Sequence, residues 1–246
     1  MNLSGNTVLV TGGSNGIGLA IAERFLMAGS EVIICGRSEA KLKEAKHKYP
    51  KLHTHVCDVG KEKDRIALAD WAAKHFPKLN VLVNNAGIQR RPILVNNAES
   101  WSAIKEEIDI NIDGPIHLSL LFIPHLQKVQ DAYIMNVTSG LAFAPLANVP
   151  VYSATKAALH SFTLSLRHSL VKTTIKVVEI IPPAVQTDLG GKGLHDFGVP
   201  LDEFADSIMK DIAKGDLEVS HGFSAKSSKA SRAELDELFK NMNSHG

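Results

Sequence analysis

Apolar residues in this chain gather into short blocks separated by mixed segments. Runs rich in Val, Ile and Leu stand at 7–10 (TVLV), 31–35 (EVIIC), 52–57 (LHTHVC), 80–84 (NVLVN), 132–138 (AYIMNVT) and 175–181 (IKVVEII). Most are apolar on both faces, the pattern of parallel strands covered on both sides. His53, Thr54 and His55 read as an alternating strand segment. The intervening stretches carry helical spacing: Ile17, Ile21 and Phe25, with Ala20 and Ala28, lead to Gly29, a natural helix stop. Strand and helix repeat about six times, which predicts an α/β fold, a single doubly wound parallel sheet of Rossmann type with helices on both faces.

No linker or internal repeat divides the 246 residues, so one domain over 1–246 is expected. Within it, GGKGLHDFGVP at about 190–200 reads as a mobile loop and a candidate lid, because it follows the sixth strand, where ligands of such sheets sit. A helical tail is expected at about 229–243. Lys and Arg total 27 against 26 Asp and Glu, with no basic block, so neither nucleic acid nor a membrane surface is an expected partner. Cys35 and Cys57 each end an apolar run and read as buried thiols, which favours a reducing, cytoplasmic setting. No cationic leader opens the chain and no run of about 18 apolar residues occurs, so neither a signal peptide nor a membrane span is expected. The histidines show no metal-ligand spacing, and no metal is assigned.

Two local patterns carry chemistry. Gly12, Gly16 and Gly18 stand where the first strand turns into the first helix. There the missing side chains let backbone approach a pyrophosphate, and the helix start offers N–H groups and a favourable dipole. At the end of the second strand stands Arg37, where an acidic residue would read a ribose hydroxyl and an arginine attracts a 2′-phosphate. NADP is therefore favoured, with NAD, supported by neutral Asn15 and nearby Glu39, as the lesser alternative. The second pattern is VYSATKAAL at 151–159, which places Tyr152 and Lys156 four residues apart on one helical face. A phenol with an ordinary pKa of about 10 is a weak base near neutrality, and a neighbouring ammonium favours its phenolate.

TGGSNGIG at 11–18, NNAG at 84–87, Ser139 in NVTSG and YSATK at 152–156 occur in that order, with Ser139 thirteen residues before Tyr152. By these motifs the chain resembles the short-chain dehydrogenase/reductase family over nearly its full length. IIPPAVQTDL and the tail SRAELDELFKNMN are further similar to the oxidoreductase branch named after the D-alanyl-lipoteichoic acid operon. The resemblance implies that Gly12, Ser14, Asn15, Gly16, Ile17 and Gly18 surround the cofactor phosphates, and that Asp58 and Val59 meet the adenine. It implies that Asn85, Ala86 and Gly87 run beneath the adenosine ribose and that Val185 and Thr187 hold the nicotinamide carboxamide. It assigns catalysis to Asn111, Ser139, Tyr152 and Lys156, the lysine also holding the nicotinamide ribose, and it implies a homodimer or homotetramer joined through helices around 98–126 and 151–171. Pro182-Pro183 departs from the family's usual Pro-Gly, which removes an N–H and fixes φ beside the nicotinamide site that the resemblance implies.

The expected function is an NADP-dependent oxidoreductase interconverting a carbonyl and a secondary alcohol, acting on a small molecule. The alternative is an NAD(P)-sensing regulatory or scaffold protein on the same fold. Arg90 and Arg91, just after NNAG, stand where they would steer an anionic substrate. One further pattern bears on Asn111, whose main-chain carbonyl the resemblance assigns to a water leading away from the lysine. Four residues on stands Pro115, which has no N–H to occupy that carbonyl, with Gly114 before it easing a distortion.

Overall fold

The computed structural model describes residues 1–92 and 100–244, so positions 98 and 99 of the expected pairing helix lie outside the described residues. Seven strands form one parallel sheet: β1 (Thr7–Thr11), β2 (Glu31–Gly36), β3 (His53–Val56), β4 (Val81–Asn84), β5 (Tyr133–Val137), β6 (Lys176–Ile181) and β7 (Glu218–Ser220). Their order is β3-β2-β1-β4-β5-β6-β7, so the chain winds outward from β1 in both directions and the connections reverse between β1 and β4. Ligands of open parallel sheets bind at such a reversal, beyond the strands' carboxyl ends. The first six strands match the six apolar runs. The seventh is an addition to the sequence reading: three residues at the sheet edge, in register with Glu179, Ile180 and Ile181 of β6, leave too short an apolar signal to read.

Alternation along the strands divides the core in two. Val8 and Val10 of β1 face one layer, with Ile21 and Phe25 of α1 (Gly16–Met27) and Phe204 and Ile208 of α7 (Leu201–Lys214). Leu9 faces the other, with Leu68 of α3 (Glu62–His75), Phe122 of α5 (Gly114–Leu126) and Leu166 of α6 (Pro150–Ser169). Both faces are therefore covered, which is why the central strands are largely apolar, while β3 at the sheet edge alternates part-buried and exposed residues. Between β2 and β3 runs α2 (Glu39–Lys48), capped by Ser38, whose hydroxyl accepts from the Lys41 N–H. Two short helices close the described chain, α8 (Gly222–Ser227) and α9 (Arg232–Asn243), the latter opened by a reciprocal Ser231–Glu234 capping box. Among the described residues no helix is long and apolar enough to cross a membrane.

The chain between β4 and α5 contains the main irregularity. After α4 (Trp101–Ile108) the helix continues without a break, but through a π turn over Asp109–Asp113 in which the Gly114 N–H reaches back five residues to the Asp109 carbonyl. Gly114 and Pro115 then open α5. A proline cannot donate to a carbonyl four residues back, so the widened turn sits where Pro115 predicts a disturbance.

Candidate active site

The carboxyl ends of β1, β4, β5 and β6 open into one cleft of about 950 Å³. At its centre is the turn from β1 into α1. Gly12 has a φ of +62°, and a Cβ placed there would stand 2.8 Å from the Ala86 Cα. Both the left-handed backbone and the close approach require glycine. Gly16, at φ +54°, is the first residue of α1, and Asn15 before it makes no side-chain cap to the helix. The helix therefore presents its first N–H groups to the cleft. Gly18 has a different role: a Cβ there would meet the Asn85 Nδ2 at 2.3 Å and the Gly12 carbonyl at 2.5 Å, so it lets α1 pack against the β4 loop and does not line the cleft.

That β4 loop is tied to β1 by a set of bonds absent from the sequence reading. The Thr11 hydroxyl accepts from the N–H groups of Asn85 and Ala86, both at 3.0 Å, and the Asn85 amide donates to the Thr11 carbonyl at 2.9 Å. Asn85, Ala86 and Gly87 thus run along the cleft floor, joined there by Ser14, Ile17, Asp58, Val59, Val185 and Thr187. Val185 is fastened by a bridge to Val199, which closes the glycine-rich segment after β6 back on itself. Pro182 and Pro183 line the same wall, and the Pro182 carbonyl accepts from the Gly140 N–H.

Ser139, Tyr152 and Lys156 converge at the inner end. All three are buried and all line the cleft. Ser139 caps a short 3-10 turn, its hydroxyl accepting from the Leu141 N–H at 3.1 Å. The Lys156 ammonium donates to the Val137 carbonyl at 2.8 Å and stands 5.5 Å from the centre of the Tyr152 ring. Burial pulls the lysine down to about 8, opposed by the nearby charge of Glu107. The phenol departs from the expectation of a depressed pKa. Its burial outweighs the other influences and raises it well above the usual tyrosine value; the Ser139 hydroxyl pulls it down by hydrogen bonding, and Glu107 pushes it up. A phenol so placed holds its proton and is suited to donate one.

Asn111 stands behind this group and does not line the cleft. Only 1% exposed within the π turn, its amide grips Ile88 from both sides: Oδ1 accepts from the Ile88 N–H and Nδ2 donates to the Ile88 carbonyl, each at 2.9 Å. Nδ2 also donates to the Thr155 hydroxyl at 3.1 Å, which in turn donates to the Tyr152 carbonyl at 2.7 Å. The asparagine thereby joins the β4 loop to the helix carrying Tyr152 and Lys156. Glu107, fully buried on α4, accepts from the Arg90 N–H at 3.1 Å and places a negative charge close to both Tyr152 and Lys156. Neither Glu107 nor the Thr138–Glu179–His160 chain behind Ser139 was found by motif. In that chain the Thr138 hydroxyl donates to a buried Glu179 carboxylate at 2.7 Å, with His160 Nδ1 at 2.9 Å from the same oxygen.

At the other end of the cleft are Arg37, Ser38 and Lys41. Lys41, one turn into α2, was missed because a lone lysine on a helix surface carries no signal. Glu39 turns away to pair with Lys43 at 2.7 Å. Arg37 meets Glu106 of α4 at 2.8 Å, and Glu106 also pairs with Arg90. Arg91 is exposed at the cleft mouth and depresses the neighbouring His195, secondarily to that residue's own desolvation. Beyond Tyr152 the lining turns apolar, with Leu141, Leu146, Val149, Phe197, Phe223 and Met242. Met242 comes from α9, whose Asn243 accepts from the Ala147 N–H at 2.6 Å and donates to the Pro145 carbonyl at 3.2 Å.

Residues 6–196 match the family model described as short chain dehydrogenase. The chain is similar to the uncharacterized oxidoreductase DltE of Bacillus subtilis (strain 168), 49% identical over 248 residues that cover 99% of this chain and 98% of that one. Among solved structures it resembles a short chain dehydrogenase from Burkholderia cenocepacia J2315 in complex with NADP, with a TM-score of 0.85, 23% identity and coverage of 98% and 99%. It also resembles a short chain dehydrogenase/reductase from Burkholderia phymatum in complex with NAD, with a TM-score of 0.86, 20% identity and coverage of 97% and 96%. At these identities the two structures speak to the fold.

Proposed function

The chain belongs to the short-chain dehydrogenase/reductase family of oxidoreductases, in its DltE branch, and from that premise we propose that it interconverts a small carbonyl compound and a secondary alcohol with NADP, using Tyr152 as general acid and base. The observation that carries this reading is the burial of Ser139, Tyr152 and Lys156 together at the inner end of a cleft whose floor is the glycine turn. The cradle suits a dinucleotide. Gly12 leaves no room for a Cβ, and uncapped N–H groups at the start of α1 face the space a pyrophosphate takes. Arg37, Ser38 and Lys41 suit a 2′-phosphate, and Asp58 and Val59 stand beside them for the adenine.

When bound, NADP supplies or accepts the hydride. Tyr152 gives its phenolic proton to the substrate oxygen as negative charge builds there, and takes it back in the reverse direction. Ser139 holds that oxygen by a hydrogen bond. Lys156 orients the ribose hydroxyls and places a cation beside the phenolate that Tyr152 becomes. Asn111 keeps the Ile88 loop and α6 in register, and its carbonyl, opposite Pro115, is offered to the water that refills the proton. The apolar wall of Leu141, Val149, Phe197 and Phe223 favours a substrate with a hydrophobic body beside its carbonyl.

A homodimer or homotetramer fits the exposed Trp101, Leu120 and Leu164 on α4, α5 and α6, and a reducing cytoplasm fits the free, buried Cys35 and Cys57. The test is oxidation of NADPH and NADH by the purified protein against a panel of ketones, aldehydes and diketones with apolar substituents. Turnover favouring NADPH supports the proposal. Tight NADPH binding with no turnover across the panel would move the reading to a cofactor sensor.

A further inference from the structure

Arg37 follows β2 and Arg90 follows β4, and β1 lies between those two strands. With neighbouring strands about 5 Å apart, the two strands they follow stand on either side of the glycine turn, about 10 Å apart across the sheet. Glu106 joins them. One of its carboxylate oxygens meets the Arg37 Nη1 at 2.8 Å and the other meets Arg90, so a single side chain from α4 ties the adenosine end of the cleft to the loop beside Lys156. The two guanidiniums hold the Glu106 carboxyl below its usual range, Arg37 foremost, so it is fully charged at neutral pH. The group that reads a 2′-phosphate therefore already has an anionic partner, and Lys41 beside it has none among the ion pairs of the described residues.

Resting on the reading of Arg37 as the 2′-phosphate contact, we propose that Glu106 is a cofactor-selectivity residue, competing with the 2′-phosphate for the Arg37 guanidinium and so narrowing the preference for NADP over NAD. Three observations support competition over a supporting role. Glu106 takes Nη1, so while the pair stands the Nη1–Nη2 end of the guanidinium is closed to a two-pronged phosphate contact and only the Nε–Nη2 edge is left for one. A carboxylate held there lies next to any dianion that Arg37 binds, and like charges repel. Arg37 keeps 56% of its side chain exposed and Glu106 keeps 40%, so the pair is open to a ligand and is the kind of contact an incoming phosphate displaces. Arg90 gives the displaced carboxylate somewhere to stay, which lets the exchange occur without leaving a charge stranded. Glu39, the acidic residue that sequence places closest to this site, pairs with Lys43 and not with Arg37.

The experiment is calorimetric titration of the full-length protein with adenosine 2′,5′-bisphosphate and with adenosine 5′-monophosphate, which differ at the ribose 2′ position and need no turnover. Glu106→Gln keeps the shape and removes the charge. It should tighten bisphosphate binding about three- to fivefold, the size of one partly exposed ion pair, and leave the monophosphate unchanged. Arg37→Ala should weaken the bisphosphate alone, and adding Glu106→Gln to it should restore clearly less than the same change gains beside an intact Arg37, because the competition acts chiefly through Arg37. If Arg37→Ala weakens the bisphosphate but Glu106→Gln leaves it unchanged or weaker, Glu106 is a bystander or a support, and the proposal fails while the NADP reading stands. If Arg37→Ala leaves the bisphosphate unchanged, the NADP reading itself fails, and the selectivity role falls with it.

Discussion

The two ends of the cleft are built on opposite principles. Around Tyr152 a buried chain of hydrogen bonds runs from Ile88 through Asn111 and Thr155 to the helix that carries the phenol. Around Arg37 the charges stand in water, paired side by side and replaceable. A buried network fixes one geometry, because any member that moves leaves a partner unsatisfied in low dielectric. An exposed ion pair fixes little and is easily exchanged. The inner end is thus suited to a proton transfer that needs fixed positions, and the outer end to a choice between two similar cofactors.

Substitutions test that contrast in descending order of effect. Tyr152→Phe removes the proposed proton donor and keeps the packing, so kcat should drop by about 10²-fold or more while NADPH affinity, read by fluorescence titration, is nearly unchanged. Near wild-type turnover would remove the inner end's special status. Arg37→Ala at the outer end should do the reverse. NADPH binding should weaken by about 1.5–3 kcal/mol, the range for a charge-assisted contact, with NADH affinity and the kcat at saturation retained.

The third test is pH. Burial brings Lys156 down to about 8, so its ammonium is present below that value and lost above it. For carbonyl reduction, kcat/KM should hold steady toward neutrality and then fall by about tenfold per unit as pH rises past 8. A flat profile to pH 10 would show that the lysine charge is dispensable.

The smallest effect belongs to the support behind Ser139. Hydrogen bonding to Glu179 is the main cause that raises the His160 pKa, opposed by desolvation, with Glu218 adding to the rise and Arg167 subtracting. A raised folded-state value means the charged histidine stabilises the fold fully below the unfolded value near 6.5, and that contribution fades as pH climbs through the folded value. His160→Gln should lower Tm by about 2–4 °C at pH 6, the shift about 1 kcal/mol makes in a chain of this size, and by less at pH 8. An equal loss at both pH values would show that the contact acts by shape alone.

How far the sequence foretells each end follows the same division. Groups that act through the backbone leave local marks: Gly12 and Gly16 are conspicuous because their positive φ favours glycine and the Ala86 backbone leaves Gly12 no room for a Cβ, and Tyr152 with Lys156 needs only one helical turn. Even the disturbance near Asn111 is visible, since Pro115 removes a donor at a fixed offset. Groups that act across the fold leave none. Glu106 reaches Arg37 over 69 positions and Thr138 reaches Glu179 over 41, so only the assembled sheet brings them together. Strand β7 escapes for a different reason, because three residues supply almost no alternation to detect. The phenol's raised pKa was beyond the pair rule as well: spacing tells that an ammonium is near, but not how completely both groups are shut away from water.

The π turn at Asp109–Asp113 has a consequence for the geometry of descent. One extra residue in a helical turn rotates everything before it by about 100° relative to everything after. α5 must face the sheet with Leu118, Ser119 and Phe122, while α4 must turn Glu107 inward to the Arg90 N–H. A regular helix through both would set one of these faces wrong. The widened turn works as a phase corrector between two segments with different obligations, so the property that must be inherited there is the residue count. Substituting Ile112 changes a side chain; deleting it would let the ladder close at four and swing Glu107, and with it Glu106, away from the groups they meet. In this stretch a change of length is a change of direction.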